Sequence, residues 1–95
     1  MNPIMSLVER EQILLRRALQ RNKKAHGRTK YYKALSRVVQ QTKSQTNSTL
    51  QSRLEYASRL LITEIEKGYF LPFCMFAISN LARQYVLLSN DPRHL

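Results

Sequence analysis

The sequence predicts an all-α fold, a small up-and-down four-helix bundle whose highly apolar fourth helix is its most buried member. Three observations predict it. Apolar residues recur at helical spacing in four stretches, separated by Gly27, by the polar run Gln40 to Thr49, and by Gly68. The connections after the first and third stretches are short, which favours antiparallel neighbours. With 95 residues, 43% hydrophobic and 23% charged, the chain can bury one core but not two, so residues 1–95 read as one domain.

The first helix is expected over about 6–25. Ser6 and Glu9 have capping-box spacing, and Leu7, Val8, Leu14, Leu15, Ala18 and Leu19 gather on one side at about 100° per residue. Glu9, Arg10, Arg16 and Arg17 point away from that side, and Gly27 breaks the pattern. The second helix, expected over about 29–42, carries an apolar stripe of Tyr31, Tyr32, Leu35, Val38 and Val39. Lys30, Lys33 and Arg37 stand at i, i+3 and i+7 and form a basic ridge on the opposite side.

Gln40 to Thr49 is rich in turn formers, and a mobile polar loop is expected at 42–48. The third helix, about 49–67, is opened by a second capping box, Ser48 and Gln51, and stops at Gly68. Leu50, Leu54, Ala57, Leu61 and Ile65 share one face, while Glu55 and Arg59 face outward at i, i+4 spacing. Pro72 suits the first turn of the fourth helix, about 72–88, and Asn90-Asp91-Pro92 ends it. Its polar residues Ser79, Asn80, Arg83 and Gln84 fill a narrow sector interrupted by Phe76 and Leu87, so this helix must contact several neighbours.

Charge is the main functional clue. The net charge is +10, from 16 Lys and Arg against 6 Asp and Glu, and no acid occurs between Glu11 and Glu55. Arg21, Lys23, Lys24, Arg28, Lys30, Lys33, Arg37 and Lys43 make half of the basic total. Such a surface implies a partner rich in negative charge: nucleic acid, an anionic membrane surface or an acidic protein.

Most catalytic chemistry has no constellation here. Two histidines, one cysteine and six scattered acids provide no zinc spacing, and two glycines 41 positions apart cannot form a phosphate-binding loop. No nucleophile, base and orienting acid are readable together. The expectation is therefore a chain that is not an enzyme by itself and uses no cofactor, metal or small-molecule substrate. Cys74 lies in an apolar run, has no internal disulfide partner, and reads as a small core residue of a protein in a reducing compartment. The start MNPIMSLVEREQ reaches charges before any apolar region of useful length, so no secretory signal is expected and the chain reads as intracellular. The longest apolar run, Tyr69 to Ile78, has ten residues where a membrane span needs roughly 20, so no membrane span is expected. The patch Tyr69, Phe70, Leu71 and Phe73 is too large for a solvated turn and is either core or a docking surface.

The segment RNKKAHGRTKYYKAL, 21–35, combines two kinds of chemistry. Lysine and arginine neutralise phosphates and release counterions, while tyrosine and histidine stack on unpaired bases or hydrogen-bond to ribose and phosphate. Each residue also has a plainer reading. Charge runs at helix junctions are often only solvated, Tyr31 and Tyr32 at helical spacing suit the core, His26 suits a helix C-terminus, and Asn22 suits a backbone cap.

The same segment resembles the signature of the family of RNase MRP protein subunits that also includes the vertebrate nucleolus and neural progenitor protein. In that signature an apolar helix runs into Arg-Asn, a histidine follows four residues after the Asn, and an aromatic pair opens the next helix. Arg21, Asn22, His26, Tyr31 and Tyr32 stand in that order. The late segment YFLPFCMFAISNLARQYVLL, 69–88, is similar to the family's apolar last helix, with Ala82-Arg83 as its Ala-Arg step. The longer family members carry a basic low-complexity tail, so by resemblance this chain is a short member or one part of a longer protein.

The resemblance implies a helical protein subunit of a nuclear, nucleolar ribonucleoprotein endoribonuclease that processes precursor ribosomal RNA for ribosome biogenesis, with RNA supplying the catalytic centre. Its partners would be a structured non-coding RNA like that of RNase MRP and other protein subunits of the particle. Phosphate contacts then fall to Arg21, Lys23, Lys24, Arg28, Lys30, Lys33 and Arg37, with Arg28 and Arg37 suited to bidentate geometry. His26, beside Gly27, becomes a ribose or base contact, with Asn22, Tyr31 and Tyr32 completing the RNA-binding set.

Three other readings remain open on the residues. A helix-turn-helix DNA-binding domain would lay the second helix in a major groove, but its ridge offers few base-reading amides. A protein-interaction adaptor would use the charge for solubility or for an acidic partner. A membrane-surface binder is disfavoured because the apolar faces are needed for the core.

Overall fold

A computed structural model describes residues 3–40, 47–68 and 71–90 of the chain. Among them are four α-helices and no strand: α1 Pro3–His26, α2 Lys30–Val39, α3 Asn47–Lys67 and α4 Leu71–Ser89. The helices are the four expected, with shifted ends. α1 and α3 begin before their serine capping boxes, which places Ser6 and Ser48 inside the helices rather than at their N-caps. α2 stops at Val39, short of 42, where Gln40 turns extended and its N–H reaches back to Arg37 O at 3.3 Å. Of the loop expected at 42–48, residues 42–46 lie outside the described residues, and Asn47 and Ser48 already belong to α3.

Thr29 organises the first turn of the chain. Its backbone is extended, and its Oγ1 accepts from Tyr32 N–H at 3.2 Å, satisfying one of the orphan donors of α2. The same hydroxyl donates to His26 O at 2.7 Å and so closes α1 as it opens α2. At the other end of α2, three carbonyls have no partner within the helix, and the neighbouring helices supply donors. Arg53 Nη1 donates to Arg37 O at 2.9 Å, Gln12 Nε2 to Val38 O at 3.4 Å, and Arg16 Nη2 to Val39 O at 3.0 Å. Two guanidinium groups at the negative end of a helix also suit its dipole.

Cross-helix contacts fix the topology. Leu19 pairs with Tyr32 and Arg16 with Val39, so α1 and α2 run antiparallel. Gln51 with Ser89 and Glu55 with Tyr85 set the same relation for α3 with α4, and Arg53 joins α3 to the end of α2. α4 then closes against α1, through Asn80 Nδ2 donating to Glu11 O at 2.8 Å. The result is the up-and-down four-helix bundle that short connections favour.

The interior is built on Leu15, Leu35, Leu54, Leu61, Leu81 and Leu88, all under 2% exposed. Burying each contributes roughly 1.5–3 kcal/mol. Among the described side chains, α4 supplies Phe73, Cys74, Ala77, Asn80, Leu81, Gln84 and Leu88 to the interior, but its apolarity is not spent there alone. Met75, Phe76, Tyr85 and Val86 remain exposed, while two residues of the expected polar sector, Asn80 and Gln84, are buried. The amides are tolerated inside because Gln84 Nε2 donates to Asn80 Oδ1 at 2.7 Å and Asn80 donates onward to α1, although Gln84 Oε1 is left without a partner. On α1, likewise, Val8, Leu15, Ala18 and Leu19 turn inward with Gln12, while Leu7 and Leu14, expected with them, are exposed.

Gly68 ends α3 with φ +80, in the left-handed region, and a Cβ there would meet nothing within 4 Å. The requirement is thus conformational and not steric. Gly68→Ala is expected to destabilise the domain by about 1 kcal/mol, read as a lower urea midpoint with an unchanged m-value.

Candidate nucleic-acid interface

The end of α1, the turn at 27–29 and α2 carry the acid-free part of the sequence to the surface. Arg21, Lys23, Lys24, Arg28, Lys30, Lys33 and Arg37 all have exposed side chains. Among the described residues the ion pairs join Arg59 to Glu55, Lys67 to Glu64 and Arg83 to Glu11, and none includes a residue of 21–37. Seven cationic groups therefore share one junction, and none of them is ion-paired to a carboxylate. Such a surface can neutralise successive phosphates, and its attraction is lost progressively with salt.

The non-basic residues of the segment sit differently. His26 is 4% exposed and Tyr31 3% exposed. The imidazole stacks on Phe73 of α4, with ring centroids 4.7 Å apart and planes inclined by 11°, and its Nδ1 pairs with the Tyr31 hydroxyl. Tyr31 and Phe73 are themselves 6.1 Å apart in a tilted arrangement. This three-ring cluster ties α1, α2 and α4 together beneath the basic surface. Neither His26 nor Tyr31 offers a ring face to a ligand, which corrects their placement among the RNA contacts, because the apolar face of α2 and the end of α1 both turn into the core, where Phe73 of α4 meets them. Tyr32 is half-buried and donates to Leu19 O at 2.8 Å, and Asn22 Nδ2 donates to Ala18 O at 2.7 Å, so both brace backbone. Of the patch Tyr69, Phe70, Leu71 and Phe73, the first two lie outside the described residues, and Phe73 is core.

Gly27 also changes role. A Cβ there would lie 2.5 Å from Lys23 O, so the close approach that glycine permits is to the last turn of α1 and not to a ligand. Its N–H bonds to that carbonyl at 2.8 Å.

α3 adds residues that sequence spacing did not bring to the site. Arg53 and Tyr56 stand beside Arg37 and Gln40 in a shallow cleft of about 330 Å³ between α2 and α3, and Tyr56 is 49% exposed. An exposed phenol ring flanked by two guanidinium groups is the combination that stacks a base while holding its phosphates. The signal available in the sequence was that the acid-free region extends to Arg53, with Tyr56 three residues later.

Burial disfavours the charged form of His26, so its pKa is lowered from 6.5. Burial likewise raises the pKa of Tyr31 and of Cys74, with Glu64 adding to both. Because His26 binds its proton less readily folded than unfolded, its contribution to stability is intact above pH 6.5. As pH falls below 6.5 the unfolded chain takes up the proton first, and stability is lost through the folded pKa. The expected slope for this one group is at most about 1.4 kcal/mol per pH unit. Urea unfolding between pH 7.5 and 5 should show the decline in the native chain and its absence in His26→Gln.

The fold and surface together define a class: a four-helix bundle presenting a basic helix junction whose cations are not ion-paired among the described residues. Among the described residues no group of His, Cys, Asp and Glu can hold a metal, and no helix is long and apolar enough to cross a membrane. Compared with known proteins, the chain matches no family model, no curated protein and no solved structure.

Proposed function

We propose that this chain is a non-catalytic RNA-binding subunit of a nuclear, RNase MRP-like ribonucleoprotein endoribonuclease acting in precursor ribosomal RNA processing. The observation that carries RNA binding is the exposed, acid-free basic junction of α1 and α2, continued by Arg53 and Tyr56 on α3. In this role the cationic side chains contact phosphates, and the His26, Tyr31 and Phe73 cluster holds the two basic helices at a fixed relation beneath them. Pre-set geometry lowers the ordering cost of binding a structured RNA. The chain braces the RNA, which performs the chemistry. What supports the particle and its nucleolar setting is the resemblance of Arg21, Asn22, His26, Tyr31 and Tyr32 to the family signature. α2 presents Lys30, Lys33 and Arg37 outward with no amide among them, which favours backbone contact over base reading in a DNA groove.

The test is affinity purification of the tagged chain at mild salt, with sequencing of the co-purifying RNA, beside a variant with Lys30, Lys33 and Arg37 changed to Glu. One abundant structured non-coding RNA, recovered by the native chain and lost by the variant, is the expected result. Recovery of a nonspecific RNA mixture, or an unchanged RNA in the variant, would overturn the reading.

A further inference from the structure

The face shared by α1 and α4 lies apart from the basic ridge. At i, i+3 and i+7 spacing, Leu7, Arg10, Leu14, Arg17 and Arg21 form one exposed stripe along α1. Across from it, Ala82, Val86 and the half-buried Leu87 of α4 complete a groove of about 620 Å³ with Leu7 and Leu14. Leu14 is 44% exposed and Val86 57% exposed, so the floor is apolar surface left in water. Farther along the same two helices, Phe76 lies beside Arg21 and Asn22 in a second hollow of about 330 Å³. From Leu7 to Arg21 the stripe covers fourteen residue steps, or about 21 Å, the length of four helical turns.

We propose that this groove binds an amphipathic helix of another protein, one with an apolar stripe flanked by acidic residues. The floor is aliphatic, and its desolvation is favourable only against apolar side chains. The rim is cationic: Arg10 and Arg83 line it, the exposed Arg17 and Arg21 continue the same stripe of α1 beyond it, and its one acid, Glu11, is already held by Arg83. A second copy of the chain is a poor occupant, since two chains of charge +10 would set these arginine stripes against each other. RNA is a poor occupant of the Leu7, Leu14 and Val86 floor, which has no aromatic ring on which a base could stack. This inference does not depend on the RNA-binding reading.

The probe is a synthetic 18-residue helical peptide with leucines at i, i+4, i+7 and i+11 and glutamates beside them. Two controls accompany it: the same composition with its order scrambled, and the same leucine pattern with lysines in place of glutamates. Fluorescence anisotropy on the full chain should show the acidic patterned peptide binding at least 10-fold more tightly than either control. Leu14→Ser with Val86→Ser, both at exposed positions, should weaken that binding at least 10-fold while leaving the circular dichroism spectrum and RNA affinity unchanged. Arg10→Glu with Arg17→Glu should reverse the preference toward the lysine peptide. The Lys30, Lys33 and Arg37 to Glu variant should keep the peptide even as it loses RNA, which separates the two readings. Equal binding of all three peptides would overturn the proposal. So would loss of RNA in the serine variant, or a dimer in sedimentation that the serine variant abolishes.

Discussion

Changing Lys30, Lys33 and Arg37 to Glu is expected to lower affinity for structured RNA on the order of 100-fold at 0.1 M salt, without unfolding the domain. The magnitude follows from counterion release. Each phosphate neutralised contributes roughly 0.7–0.9 to the slope of log affinity against log salt, so at 0.1 M three lost contacts cost about two orders of magnitude. The slope itself should fall by about 2 in the variant. All three side chains are exposed and none is paired with an acid, so the fold loses no ion pair when they are reversed. A control with Arg10, Arg59 and Lys67 changed to Glu carries the same number of reversals away from the ridge and should lose far less. Filter binding across a salt series reads both quantities, and equal losses in the two variants would show that total charge matters and the ridge does not.

The second large effect concerns stability. Phe73→Ala should destabilise the domain by about 3–5 kcal/mol, the range for removing a buried aromatic ring. Domains of this kind hold about 5–15 kcal/mol in total, so much of the native population near body temperature would be lost. At roughly 4–8 °C per kcal/mol for a chain of this size, the melting temperature should fall by at least about 12 °C. Phe73 is 8% exposed and is the ring on which His26 stacks, with the ring of Tyr31 tilted toward both. Removing it leaves a cavity where three helices meet and uncouples the basic junction from α4. Phe73→Leu, which retains most of the volume, should cost far less. A loss under 1 kcal/mol for the alanine variant in urea unfolding would show that the cluster does not hold the junction.

How far the sequence could be read differs from element to element. The start of α2 was legible to within a residue, because the stripe Tyr31, Leu35, Val38 and Val39 is unbroken; that Thr29 caps it came from the structure. Its end was not, because residues 40–42 carry no stop signal. The helix ends at Val39, where Arg16, Gln12 and Arg53, from two other helices, take up the last carbonyls. α1 and α4 were legible as helices but not in orientation. Each has apolar residues on more than one side, so periodicity alone does not say which side faces inward.

The candidate surface divides the same way. The basic residues of 21–37 were legible, since a long charged side chain without a partner stays in water wherever its helix docks. His26 and Tyr31 were not. Both residue types suit either a core or a ligand, and Phe73, 47 residues from His26 in the chain, decides for the core. Arg53 and Tyr56 join the ridge only because α3 lies against α2.

By itself, then, the sequence determined the helical class, the four helices and the location of unneutralised positive charge. These are properties of neighbouring residues: spacing and charge along a few turns. Only the tertiary structure decided that Gln12, Asn80 and Gln84 go inside while Leu7, Leu14 and Val86 stay out. The reason is that a buried amide needs a partner. For Asn80 that partner is Glu11 O, 69 residues away, which exists only once α4 has packed against α1.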